Sequence, residues 1–176
     1  MKLDITADEC TVFTGGWGYS AKLMSCALGA VEYEGRLSIL EFGAGQGTLL
    51  LAGLLEKVGA PFRYVSYENN PDWVCPLENV ETVLWKEYPK EILPGPYDLI
   101  IIDGPRGART RVRLPWFSLI RPVVRVGTIL AVDDFDHNVE YQEKLDENFS
   151  YEPVGYHPLE VFAGENWRVV RVLGVK

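Results

Sequence analysis

A doubly wound α/β fold, built on a mostly parallel seven-stranded sheet that closes with an antiparallel C-terminal hairpin, is what this sequence predicts. Short β-branched runs recur along the chain with helix-compatible stretches between them, the pattern of strands joined by crossover helices. Two of these runs, Tyr97 to Asp103 and Gly127 to Asp133, are almost unbroken in hydrophobicity, as expected of strands covered on both faces. The last segment, Tyr151 to Val175, carries Pro and Gly punctuation and alternates over Trp167 to Val172, which reads as two antiparallel strands.

Taken in order, Leu37 to Phe42 is the first convincing strand, and a glycine-rich turn over Gly43 to Gly47 ends it. Thr48 to Val58 is rich in Leu and Ala and stops at Gly59-Ala60-Pro61, so a helix is expected there. Arg63 to Glu68 is the second strand, Asn69 to Asp72 begins a short helix, and Val80 to Trp85 is the third strand. Pro94-Gly95-Pro96 breaks the chain before the Tyr97 to Asp103 strand. Leu114 to Val126 suits a helix that Pro122 kinks or shortens. Gly127 to Asp133 is the next strand and Glu140 to Asn148 the next helix.

The chain has 176 residues, 47% hydrophobic and 24% charged, enough for one domain with a full core and no reliance on disulfides or structural metal. Intrinsic disorder is excluded. Its 17 Lys and Arg against 25 Asp and Glu give a net charge of −8, which argues against nucleic-acid or anionic-membrane partners because both need a positive field. Three widely spaced cysteines and two histidines do not form a disulfide framework or a zinc site. With no signal-like N-terminus and no membrane-length apolar run, a soluble cytoplasmic protein is expected.

Glu41-Phe42-Gly43-Ala44-Gly45-Gln46-Gly47-Thr48 sets three glycines at alternate positions between a strand and a helix. Such a turn lets a ligand approach the main chain and offers it the free N–H groups of a helix N-terminus. A nucleotide-like ligand is expected. The dinucleotide fingerprint would need its third glycine at position 48, where Thr48 stands, so an NAD-dependent oxidoreductase is disfavoured. Glu68, ending the second strand 21 residues after Gly47, is placed to accept hydrogen bonds from both hydroxyls of a ribose.

From Glu41 and the glycines through Glu68 to Asp103, the chain resembles the class I S-adenosyl-L-methionine (SAM) dependent methyltransferases, over roughly residues 36 to 135 in order of elements. The resemblance implies a Rossmann-like methyltransferase fold, SAM as cofactor and transfer to a small-molecule acceptor. It implies that Glu41 lies near the methionine part of SAM, that Glu68 holds the ribose, that Gly43, Gly45, Gly47 and Asn69 are cofactor-binding residues, and that Glu87 is the nearest candidate for the adenine amino group. Trp85 is a candidate to pack on the adenine ring, and Asp103 also faces the cofactor. One domain over 1–176 then divides into an N-terminal lid or cover segment (1–35), the SAM-binding core (36–135) and a C-terminal helix and hairpin (136–176).

Ligands of open α/β sheets sit beyond the carboxyl ends of the strands, which selects Asp103-Gly104-Pro105-Arg106 and Asp133-Asp134-Phe135-Asp136-His137. This arrangement looks like that of the metal-dependent small-molecule O-methyltransferases, and the resemblance implies a Mg²⁺ site on Asp103, Asp133 and Asp134. Those enzymes follow the first Asp with Ala-Asp-Lys, whereas this chain has Gly104-Pro105-Arg106; the difference favours a metal-free version in which Asp103 orients SAM and His137 takes the acceptor proton. Arg106 and Arg109 are candidates to clamp an anionic group on the acceptor. Trp17 and Tyr19, in a glycine-rich stretch ahead of the first strand, are candidates to cover the acceptor. A second subunit of a homo-oligomer is another source of acceptor contacts. Two other classes stay open at this point: a catalytically silent SAM- or nucleotide-binding domain, and the NAD-dependent oxidoreductase.

Overall fold

The computed structural model describes residues 1–13, 19–105, 113–137, 140–157 and 166–176. Along the chain run α1 (Ala21–Ala30), β1 (Leu37–Phe42), α2 (Gln46–Lys57), β2 (Phe62–Glu68), β3 (Val80–Leu84), β4 (Leu99–Ile102), α3 (Leu114–Leu119), β5 (Ile129–Asp133), α4 (Glu140–Asn148), β6 (Phe149–His157) and β7 (Trp167–Val175). The strands form one sheet in the order β3-β2-β1-β4-β5-β7-β6. The first five are parallel, and β7 runs antiparallel to both β5 and β6.

The alternation of side chains along a strand divides the apolar runs between two cores. Ile39, Leu99, Ile101, Ile129 and Ala131 face the layer of α1 and α2, while Leu40, Ile100, Ile102, Leu130 and Val132 face that of α3 and α4. Each of these residues is fully buried, which is why β4 and β5 carry no polar alternation. Pro122 shortens the expected helix: α3 stops at Leu119, and Arg121–Val123 continues as a single 3₁₀ turn. Residues 1–35, expected as a lid or cover, contain a helix. In α1 the Ser20 hydroxyl caps the Leu23 amide at 3.1 Å, and Leu23, Met24, Ala27 and Leu28 are buried. Much of this segment is core rather than lid.

At the amino ends of the strands, Asp98 closes the sheet. Its carboxylate accepts the Ser38 amide at 2.8 Å and pairs with Arg125. Asp98→Ala leaves that amide without its partner, and a loss of about 1–3 kcal/mol of stability is expected, read as a shift of the urea midpoint at constant m-value. Among the described residues, no helix is long and apolar enough to cross a membrane.

Candidate functional site at the carboxyl edge of the sheet

The parallel strands all point Gly43, Glu68, Asp103 and Asp133 toward one edge, and three glycines there are glycines for three different reasons. Gly43 has φ of +104°, and a Cβ on it would stand 2.7 Å from the Gly104 nitrogen; the turns after β1 and β4 touch main chain to main chain. A Cβ on Gly47 would meet the Tyr19 ring at 2.7 Å, so Gly47 makes room for an aromatic side chain of the protein itself. Gly45 differs: a Cβ there would meet only the edge of Trp73, at 3.9 Å. Its main chain faces open space, as close approach of a ligand requires.

Behind the turn lies a buried network. Thr48 Oγ1 accepts the Gly45 amide at 3.0 Å and donates toward the two Glu41 oxygens at 3.1 and 2.9 Å, and the Tyr64 hydroxyl donates to Glu41 at 2.9 Å. Burial pushes the Glu41 carboxyl up to about 8, which favours its uncharged form around neutral pH. Glu41 therefore braces the turn from inside, with its exposure at zero. Cys75 holds the other side, its thiol 3.2 Å from the Gly45 carbonyl. Thr48, which breaks the dinucleotide fingerprint, is committed to this network.

Glu68 ends β2 and is almost fully buried. Its Oε1 accepts the amides of Asn69 and Asn70 at 2.8 and 2.6 Å, which fixes the carboxylate at the edge; among the described residues nothing hydrogen-bonds Oε2. Asn69 and Glu87 are exposed beyond it. Trp85 does not offer a stacking face: it is buried against Tyr88 at 4.7 Å and edge-on to Trp116 at 5.4 Å. Tyr19 likewise lies in the core between α1 and α2 rather than over an acceptor, because its ring fills the space that Gly47 leaves. Among the described residues its buried hydroxyl has no hydrogen-bond partner, an unsatisfied donor beside the start of α2 that suits a polar ligand.

Asp103, Asp133 and Asp134 converge as the sequence suggests, with carboxylate oxygens within 4.8 Å of one another. Burial raises the Asp103 carboxyl to about 6, with Arg113 opposing the rise and the Asp134 charge adding to it. Burial, reinforced by the charges of Asp103 and Asp134, holds Asp133 well above the usual carboxylate range. These groups have the hard-oxygen chemistry that Mg²⁺ takes, but a cation is already among them. Buried Arg113 reaches Asp103 at 3.7 Å and Asp134 at 3.3 Å. Nothing in the sequence separates Arg113 from the five other arginines between positions 106 and 125; only the fold does. Trp17, Arg106 and Arg109 lie outside the described residues, as does the side chain of His137.

No protein-family model matches the chain, and no curated protein matches it in sequence. Solved structures do match its fold. A precorrin-6y C5,15-methyltransferase from Geobacter metallireducens is 12% identical with a TM-score of 0.64, over 92% of this chain and 93% of its own. A SAM-dependent O-methyltransferase from Thermotoga maritima is 16% identical with a TM-score of 0.63, over 97% and 72%. Human methyltransferase-like protein 13, solved in complex with SAH, is 12% identical with a TM-score of 0.60, over 87% and 81%. With its sheet order and antiparallel C-terminal hairpin, the chain has the Rossmann-like methyltransferase fold.

Proposed function

We propose that this chain transfers a methyl group from SAM to a small polar acceptor, at oxygen. The observation that carries the reading is the pairing, on one edge, of Gly45 with open main chain and Glu68 with one carboxylate oxygen fixed and the other unused. Such a pair suits an adenosine ligand: the ribose hydroxyls meet the carboxylate and the remainder lies along the turn. Glu41 behind the turn, with its uncharged form favoured, and the unsatisfied Tyr19 hydroxyl are compatible with a polar tail there. The solved methyltransferases that share the fold support the same reading.

When bound, SAM supplies a methyl carbon already activated by its sulfonium. The protein's remaining work is to hold the acceptor oxygen in line and to take its proton. Asp103, at the carboxyl end of β4, is the group we assign to that proton as the O–CH₃ bond forms and the S–CH₃ bond breaks; His137 is a second candidate. Arg106 and Arg109 are the candidates for an anionic group on the acceptor. The net charge of −8 supports a small acceptor over a nucleic acid.

Calorimetric titration with SAM and S-adenosylhomocysteine tests the reading. Saturable binding is expected, and Glu68→Ala is expected to lose about 1–3 kcal/mol of it through the missing charged hydrogen bonds, with the circular dichroism of the fold unchanged. Absence of binding at roughly millimolar ligand would overturn the reading; unchanged affinity in Glu68→Ala would remove that residue from the site.

A further inference from the structure

The carboxylate cluster carries an inference that goes beyond methyl transfer and does not depend on which cofactor binds. Three carboxylates with oxygens within 4.8 Å are a donor set of the kind Mg²⁺ or Mn²⁺ takes. Arg113 already stands against them. Its Nη2 lies 3.7 Å from Asp103 Oδ1 and 3.3 Å from Asp134 Oδ2, with the side chain only 5% exposed. Nη1 donates to the Asp133 carbonyl at 3.2 Å and Nε to the Pro105 carbonyl at 3.4 Å. A planar, permanently charged fork with partners in both strand-end turns is fixed there rather than folded over from the surface.

The local fold explains how the arginine comes to be in place. It immediately precedes α3, whose Trp116 donates its indole N–H to the Gly104 carbonyl at 3.0 Å and stacks on Phe42 at 4.0 Å. The start of α3 is thereby pinned against the turn that carries Asp103. On the other side Asp134 sits at φ of +54°, a left-handed conformation that aspartate tolerates, and its ion pair with Arg113 secures the carboxylate in that geometry.

We propose that Arg113 is the resident cation of this cluster: a positioning residue that holds Asp103 and Asp134 and supplies the positive charge a divalent ion supplies in the metal-dependent enzymes the sequence resembles. A dication beside a buried guanidinium meets repulsion that Asp103 and Asp134, already paired with it, no longer offset. For the methyl transfer proposed above, on which this one consequence rests, the acceptor then needs no pair of neighbouring oxygens for chelation; a single hydroxyl facing Asp103 suffices.

Titration of the full chain with Mn²⁺ alone, followed by the electron paramagnetic resonance of the free ion, tests this. The wild-type chain is expected to bind Mn²⁺ more weakly than about 1 mM. Arg113→Met, which keeps side-chain length and removes charge, is expected to bind at least about tenfold more tightly. Adding Asp134→Asn to Arg113→Met should abolish that gain, and Arg113→Lys, which keeps the charge, should behave as wild type. A purely structural role for Arg113 would produce no such gain. Wild-type binding tighter than about 1 mM, or a folded Arg113→Met with wild-type affinity, overturns the proposal. Where circular dichroism shows Arg113→Met to be unfolded, the wild-type and Arg113→Lys titrations decide, and Mn²⁺ binding tighter than about 1 mM by either one overturns it.

Discussion

Gly104→Ala is expected to lower the unfolding free energy by about 3 kcal/mol or more. A methyl group at this position would stand 2.4 Å from the Cα of Gly43 and 2.8 Å from its nitrogen, with the Phe42 carbonyl at 3.0 Å. All three neighbours are main chain, so no rotamer change relieves the overlap; one of the two turns has to move. Gly43→Ala meets the same wall from the other side and adds the strain of a positive φ. Gly45→Ala is expected to behave oppositely. Its added methyl has room, so stability should stay within about 1 kcal/mol of wild type, yet the methyl fills the space along which the cofactor is proposed to lie, and affinity for S-adenosylhomocysteine should collapse. Urea denaturation and calorimetry on the three variants separate the two effects. Gly45→Ala as unstable as Gly104→Ala would refute the division of labour among the glycines.

The second large effect depends on pH. Glu41 has an ordinary value of 4.5 and, buried, is pushed up to about 8. An acid whose folded value is raised binds more protons in the folded than in the unfolded chain between those limits, so stability falls as pH rises. The contribution of Glu41 is full below about pH 4.5 and is lost as pH rises through about 8. Across that window the loss is on the order of 5 kcal/mol. Asp103 and Asp133, also raised by burial, act in the same direction. Glu41→Gln keeps an amide oxygen that accepts from both Tyr64 and Thr48 while removing the titration, so its stability should vary much less between pH 5 and 9 than that of wild type. Urea midpoints at both ends of the range provide the comparison. An equally steep fall in Glu41→Gln would assign the dependence to other groups.

What the sequence disclosed and what it withheld follow from the range of the interactions involved. β4 and β5 are legible because strands buried on both faces show no polar alternation, and the glycine turn is legible because its backbone requirements are local. α1 is harder to see. Its buried positions Leu23, Met24, Ala27 and Leu28 keep helical spacing, but small residues such as Ser25, Cys26 and Gly29 blunt the contrast between its faces, and the glycine-rich stretch just before it draws the reading toward a lid. The partners of Glu41 depend on side-chain reach across the β1–β2 ladder, in which Ile39 lies opposite Tyr64, a register no single segment encodes. Arg113 is further still from local information: its role exists only once α3 is pinned beneath the β4 turn. Trp85 shows the converse error, an aromatic residue near a ligand edge whose neighbours Tyr88 and Trp116 claim it for the core.

The position of β7 between β5 and β6 has a kinetic meaning. Phe149–His157 leaves the ribosome before Trp167–Val175, yet among the described residues its only sheet neighbour is that later strand. While the nascent chain is being made, β6 therefore has nothing to pair with, and β5 keeps one edge bare. A single late insertion satisfies both strands at once, so sheet completion is a non-local step. The five parallel strands can be assembled while that slot is still open. Translation pausing between the codons for β6 and β7 would prolong the interval in which the nascent sheet is open to misassembly.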